Sequence, residues 1–319
     1  MERKTPRLSA GNASAAKMQV QRLLFRVPKR HHSKLLPPIR FLQGGLWRSV
    51  CGFALLLTTV FLSPAHSAQC VAMSSAHRVA LLELYTSQGC NSCPPADRWL
   101  NGLQDRGTGT NQVVPLAFHV DYWDYIGWKD RFAQPEFSQR QRLLATRNQA
   151  SFIYTPQFVL NGRDFRHPWK KGGLAETLRD VNTGKARISI TLAQAREASR
   201  VRVSVHAVNR DADRAHLFVA LFENGLNSEI KAGENAGKKL YHEFVVRELG
   251  GPLLVAPGKS LEHELEFDLS AYGDASSIGL AVFAENTSSG ESLQAMTVPL
   301  CTSMSSADSP GTILVNANH

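Results

Sequence analysis

Cys90 and Cys93, two residues apart in "GCNSCPP", are the residues whose types and spacing most directly specify chemistry in this chain. Such a pair can exchange electrons with another disulfide, hold a soft metal, or close a permanent bridge. Zinc wants four ligands, from two such pairs or from one pair plus spaced histidines. Here there is one pair, and no histidine lies close to it in sequence. Redox chemistry gains from position: at a strand-to-helix junction, unpaired backbone N–H groups and the positive end of the helix dipole favour thiolate over thiol. Cys90 is then the attacking sulfur, and Cys93, one turn later and more covered, resolves the mixed disulfide. Pro94 and Pro95 follow directly and cannot donate helical N–H groups, so either the helix starts at Pro94 or its first turn is irregular.

The elements that must position this pair are readable from hydrophobic spacing. "HRVALLELYTS" reads as a buried strand running into Cys90, and "PPADRWLNGLQ" as the helix after it. "VVPLAFHVDYW" at 113–123 reads as a second strand, and "PEFSQRQRLLATRNQ" at 135–149 as a polar helix. "YTPQFVLNGRDFRH" at 154–167 reads as a hairpin, with Asn161-Gly162 supplying the positive backbone angles of a tight turn. "LAETLRDVN" closes this half as a helix, giving the order βαβα–ββα. Pro156 begins a strand beside the cysteine turn, where a cis Thr155–Pro156 bond presents backbone groups to an incoming chain; an ordinary trans proline opening an edge strand is the plainer reading. From about Lys185 the texture changes to seven short segments of alternating polarity, from "ARISITLAQA" to "LQAMTVPL", which point to an antiparallel β-sandwich.

Taken together, these blocks resemble the thioredoxin-like arrangement. "ELYTSQGCNSCPPAD", "FHVDYWDYIGWKD" and "YTPQFVLNG" look like the signature of a secreted bacterial family of thioredoxin-like proteins of unknown function, with similarity over roughly residues 78–300. The resemblance implies an α/β thioredoxin-like domain, a central mixed sheet flanked by helices, followed by an all-β sandwich-like domain. By motif it places the redox pair at Cys90 and Cys93 and the cis-proline at Pro156. Glu83, on the strand leading to Cys90, sits near the position of a buried carboxylate that assists proton transfer to the resolving thiol, one residue off the usual spacing; a salt-bridged or exposed Glu is the competing reading.

Other residues carry weaker signals. His119 and Asp121 alternate on a strand and would share a face, as a hydrogen-bonded scaffold pair or, with the cysteines, as metal ligands. Tyr122, Trp123, Tyr125 and Trp128 suit either a groove wall or packing between domains. Arg140, Arg142 and Arg147 read as a solvated helix face. Cys70 and Cys301 bracket the folded body and are positioned to be bridged.

The net charge of +9 does not indicate nucleic-acid binding, because it belongs to the leader. Residues 1–68 hold eleven of the 36 Lys and Arg and one of the 27 Asp and Glu, which leaves 25 basic against 26 acidic residues in the rest. The leader runs from a basic stretch through the uncharged "SVCGFALLLTTVFLS" to "AHSA", the layout of a secretory signal peptide, with a cut near Ser67 or Ala68. Its apolar core of about 14 residues is short of the ~20 a bilayer span needs. An uncleaved anchor and an organelle transit sequence are the alternatives, and Cys51 belongs to this segment.

The organisation expected is therefore a signal or targeting leader (1–68), a thioredoxin-like domain (76–184), a β-sandwich-like domain (185–302) and a disordered tail (303–319). The function expected is that of an exported thiol–disulfide oxidoreductase, periplasmic or secreted. It uses Cys90, Cys93, Pro156 and Glu83, needs no cofactor or resident metal, and acts on a protein or small thiol or disulfide substrate. Nucleic acid is not a partner, and membrane contact arises only through an uncleaved leader. The alternative from another class is a binding protein, such as a copper carrier exploiting the soft thiolates of Cys90 and Cys93.

Overall fold

The structure, a computed structural model, describes residues 69–170 and 172–301 and the backbone of residues 313–316. The expected leader, with Cys51, lies outside the described residues. Of the tail expected to be disordered, only the backbone at 313–316 falls within them, as a strand.

The chain opens with β1 (Gln69–Met73) and β2 (Ala80–Thr86), then α1 (Pro94–Asn101), β3 (Val113–His119), α2 (Pro135–Arg147), β4 (Gln157–Leu160), β5 (Arg163–Asp164) and α3 (Gly173–Asn182). β2 and β3 are mostly apolar, with Glu83, Thr86 and His119 the exceptions; both are buried at every position, and they pair in parallel. α1 starts at Pro94, where the missing N–H is no loss because the first helical N–H groups have no intrahelical acceptor. Asn161 and Gly162 take φ of 48° and 79° to turn β4 into β5, and a side chain at Gly162 would collide with the Gly290 carbonyl.

The second half is β6 (Ile188–Glu197), β7 (Arg200–Asn209), β8 (Ala215–Glu223), β9 (Leu226–Glu229), β10 (Lys239–His242), β11 (Val245–Val255), β12 (Ser260–Asp268), β13 (Ile278–Asn286), β14 (Ser292–Pro299) and β15 (Ile313–Asn316). One sheet has the order β12-β7-β6-β1-β15, and β9 and β10 form a hairpin ribbon. The third sheet has eight strands in the order β14-β13-β8-β11-β3-β2-β4-β5. A disulfide joins Cys70 on β1 to Cys301 just after β14.

This architecture overturns the expected fold class. The protein is predominantly β, with three α-helices among the described residues, and the strands around the cysteines do not form a helix-flanked thioredoxin-like sheet followed by a separate sandwich. They are one end of an eight-stranded sheet whose other end is built from β8, β11, β13 and β14. The junction is the parallel pairing of Val245 on β11 with Ala117 on β3, where Ala117 N–H donates to the Phe244 carbonyl at 2.8 Å. The open edge of β3 is satisfied by a strand from the far half of the chain.

The reason lies in the two faces of β8 and β13. Leu217, Val219, Leu221, Leu280 and Val282 pack against the five-stranded sheet. Phe218, Ala220, Phe222, Ala281 and Phe283 pack against β2, β3 and α2. Strands buried on both faces read as continuous apolar runs rather than alternating ones, and "LFVALF" and "IGLAVFA" are such runs. They form a middle layer, where an ordinary sandwich would present one face to water.

Candidate functional site

The turn between β2 and α1 carries both thiols. Cys90 N–H donates to the Ser87 carbonyl and Cys93 N–H to the Cys90 carbonyl, each at 3.2 Å, and Cys93 caps α1 by accepting from the N–H groups of Ala96 and Asp97. The two sulfurs are not bonded to each other. Cys90 is 2% exposed and Cys93 0%. The Cys90 sulfur lies 3.2 Å from Ser92 Oγ and 3.8 Å from the carbonyl oxygen of Thr155, whose peptide bond to Pro156 is cis. Pro156 is thus brought against the cysteine turn.

The thiols are electrostatically unequal. A hydrogen bond from the Cys93 thiol, helped by Ser92, outweighs the opposing effect of burial and lowers the Cys90 pKa to about 6. Burial, the Cys90 sulfur and the nearby Asp97 carboxylate push the Cys93 thiol well above its ordinary value. At neutral pH the arrangement is a thiolate on Cys90 beside a thiol on Cys93, the division of labour that nucleophile and resolving group require.

Glu83 does not join this site. Its side chain shares a face of β2 with Tyr85, whose hydroxyl donates to Glu83 Oε1 at 3.1 Å, and it pairs with Arg140 Nε of α2 at 2.7 Å. Arg140 also binds Glu285 at 2.9 Å, Arg147 binds Glu285 at 2.7 Å, and the Arg140 guanidinium stacks over Phe218 and Phe283. Arg140 and Arg147 therefore belong to a buried ion cluster between layers instead of a solvated face. The carboxylate whose charge acts on the thiols is Asp97, one helical turn after Cys93. Burial raises its pKa to about 7, against the opposing pull of His119. The helical spacing from Cys93 was the available signal for it; the resemblance drew attention to Glu83 instead.

His119 and Asp121 are not paired. β3 ends at His119, and Asp121, beyond it, accepts from the Ser138 hydroxyl. His119 Nδ1 instead meets Asp130 Oδ2 at 2.6 Å, and both side chains are fully buried. Asp130 also accepts from Gln88 N–H at 2.8 Å, tying the pair to the cysteine turn.

The aromatic cluster packs beside the cysteine turn. Trp123 Nε1 donates to Thr155 Oγ1 at 2.6 Å, Trp128 Nε1 to Gln88 Oε1 at 3.0 Å, and Tyr122 to Gln141 at 3.0 Å. Tyr125 stacks on Trp123 and is 81% exposed. Gly89 leaves room for this loop: a Cβ there would sit 3.2 Å from the Trp123 carbonyl.

A contribution invisible in the sequence comes from the β9–β10 region. Buried Asn235 donates from Nδ2 to the carbonyls of both Gln88 and Cys90 at 2.9 Å, and Glu234 accepts from Asn91 N–H at 3.2 Å. Ser228 and His242 engage the Gln88 amide. Among the described residues, no group of three or more His, Cys, Asp and Glu is arranged to hold a metal ion.

Comparison with solved structures gives two informative matches. A crystal structure of a protein from Agrobacterium tumefaciens is 25% identical with a TM-score of 0.50, the alignment covering 70% of this chain and 96% of that one. HBP35 of Porphyromonas gingivalis is similar in fold, at 15% identity and a TM-score of 0.54, over 74% of this chain and 79% of that one. No functionally curated protein matches the sequence. Residues 81–284, which include the cysteine turn, Pro156 and the Asn235 loop, match the family described as "Protein of unknown function (DUF1223)". The chain therefore belongs to the DUF1223 family of proteins of unknown function.

Proposed function

We propose that the protein is a thiol–disulfide oxidoreductase working in an exported compartment, with the likeness to thioredoxin-like proteins confined to this site and not extending to the fold. The observation that carries the reading is the placement of two unbonded cysteines in the β2–α1 turn with the Cys90 sulfur 3.8 Å from the Thr155 carbonyl before cis Pro156, accompanied by a Cys90 thiol lowered to about 6 and a Cys93 thiol raised well above its ordinary value. Cys90 attacks a substrate disulfide, and Cys93 then displaces the substrate as Asp97 takes its proton. The Thr155 carbonyl, fixed by the cis bond to Pro156, borders the reacting sulfur. Tyr125 and Trp123 offer an apolar wall to a protein or small disulfide substrate. The Cys70–Cys301 disulfide supports an oxidising compartment, where such bridges persist.

The test is a Cys93→Ser variant incubated with a disulfide-containing protein substrate. A mixed disulfide on Cys90 should accumulate, and Cys90→Ser should trap none. Stoichiometric copper(I) on protein purified under reducing conditions, together with unreactive thiols, would replace this reading with that of a carrier.

A further inference from the structure

Three buried polar atoms between β2, β3 and α1 have no hydrogen-bond partner among the described residues: Thr86 Oγ1, Asp97 Oδ2 and His119 Nε2. Their residues are 0%, 4% and 0% exposed. Thr86 and His119 stand opposite one another in the β2–β3 register, the Thr86 hydroxyl is near enough to the Asp97 carboxyl to favour its charged form, and Asp97 and His119 act on each other's charge. Buried polar groups are hydrogen-bonded in roughly 90% or more of cases, so three orphans on adjoining elements mark a place for a bridging group. One buried water makes about three hydrogen bonds.

The other side of His119 is fully specified. Asp130 accepts from the backbone N–H groups of Gln88 at 2.8 Å and Phe132 at 2.9 Å, which suits an ionised carboxylate. His119 Nδ1, 2.6 Å from Asp130, then carries a proton; against the effect of burial, the Asp130 and Asp97 charges raise the His119 pKa, which leaves Nε2 as the position that takes up the second proton. The other charged and titratable groups acting on His119 are Arg247 of β11 and His242 of β10. Burial lowers His242 to about 3, so it stays neutral.

We propose that His119, oriented by Asp130, exchanges a proton with Asp97 through a water that also contacts Thr86, and so clears Asp97 to accept the next proton from Cys93. This rests on the thiol–disulfide reading above. During resolution the Cys93 S–H bond breaks and its proton passes to the Asp97 carboxylate. The Cys93 sulfur bonds to Cys90, the bond between Cys90 and the substrate breaks, and the electron pair leaves with the substrate thiolate. The proton on Asp97 moves on to His119 Nε2, giving an imidazolium beside Asp130. The substrate disulfide gains two electrons, the cysteine pair loses two, and no other reactant enters. His119 touches no substrate; it is a positioning and proton-storing residue.

The test mixes the reduced full-length protein with dithiobis-nitrobenzoate by stopped flow. The first equivalent of coloured thiolate reports attack by Cys90, and the second reports resolution by Cys93. In His119→Gln the second phase should slow at least about tenfold, in keeping with the 10²–10⁴-fold worth of a positioned proton acceptor, and its pH profile should change shape. A second phase with unchanged rate and profile overturns the relay. Failure of the wild type to release the first equivalent overturns the thiol–disulfide reading instead, so the two failures are distinct. Since loss of a buried ring can unfold the chain, histidine NMR provides a second measurement on wild type and Asp97→Asn. Removing the Asp97 charge should lower the His119 pKa by about one unit or more, because coupling between the two sites is reciprocal. An unchanged His119 titration overturns the relay whatever the kinetics of His119→Gln.

Discussion

Asp97 lies one helical turn beyond Cys93 and donates its backbone N–H to the Cys93 carbonyl at 3.1 Å, so carboxylate and resolving thiol share one face of α1. This adjacency carries a stability signature independent of any activity. Folded Asp97 keeps its proton up to about pH 7, whereas an unfolded one loses it near 3.8. Between those values the folded state binds more protons, so the stability this group contributes falls as pH rises from about 4 to about 7. Asp97→Asn should flatten that slope and be more stable than wild type at pH 8 by roughly a few kcal/mol, as read by urea denaturation.

Alkylation by iodoacetamide should follow the Cys90 thiolate, with a midpoint near pH 6. Because the hydrogen bond from Cys93 is the largest cause of that low value, Cys93→Ala should move the midpoint upward by about one unit or more. Mass spectrometry of the alkylated peptide should find no label on Cys93 at neutral pH.

Arg140 joins Glu83 and Glu285 across two layers of the protein. Arg140→Met should destabilise by about 3–5 kcal/mol, since it leaves the buried Glu83 carboxylate unpaired and Glu285 held by Arg147 alone. Glu83→Gln should also lose stability, yet keep the alkylation midpoint of Cys90 and the pH profile of resolution. A shifted midpoint would return Glu83 to the redox machinery.

Replacing Cys70 and Cys301 together by Ser should cost about 2–5 kcal/mol, the range seen when a native bridge is removed; the enclosed loop of 231 residues lies at the entropic upper end. Thermal melts with and without the bridge give the measurement, and Cys90 alkylation at pH 7 should keep its wild-type rate.

Local features were legible where local physics decides them. The two prolines after Cys93 locate the start of α1, Asn161-Gly162 locates the turn of the hairpin, and apolar runs mark β2 and β3. The Cys90–Cys93 turn and its neighbouring Pro156 follow from the same kind of signal. What the sequence concealed is long-range. No periodicity tells that Val245 will pair with Ala117, so the eight-stranded sheet was read as two separate units. Arg140 appears in a polar helix with nothing to show that Glu83 and Glu285 wait beneath it. His119 finds Asp130, eleven residues away, because the chain doubles back through the aromatic loop; a partner on the same strand was the simpler reading and the wrong one. The β8 and β13 runs did hold a signal in their unbroken hydrophobicity, which alternation-based reading passes over.

Asn235 grips the Gln88 and Cys90 carbonyls from 147 and 145 positions further along the chain. As a ribosome or a secretion channel delivers the polypeptide from its N-terminus, the thiols emerge long before the side chain that shapes their turn. Until the β9–β10 region has emerged and docked, the Gln88 and Cys90 carbonyls lack this clamp. A truncated chain ending before residue 235 would therefore carry both cysteines without the side chain that holds the carbonyls of their turn.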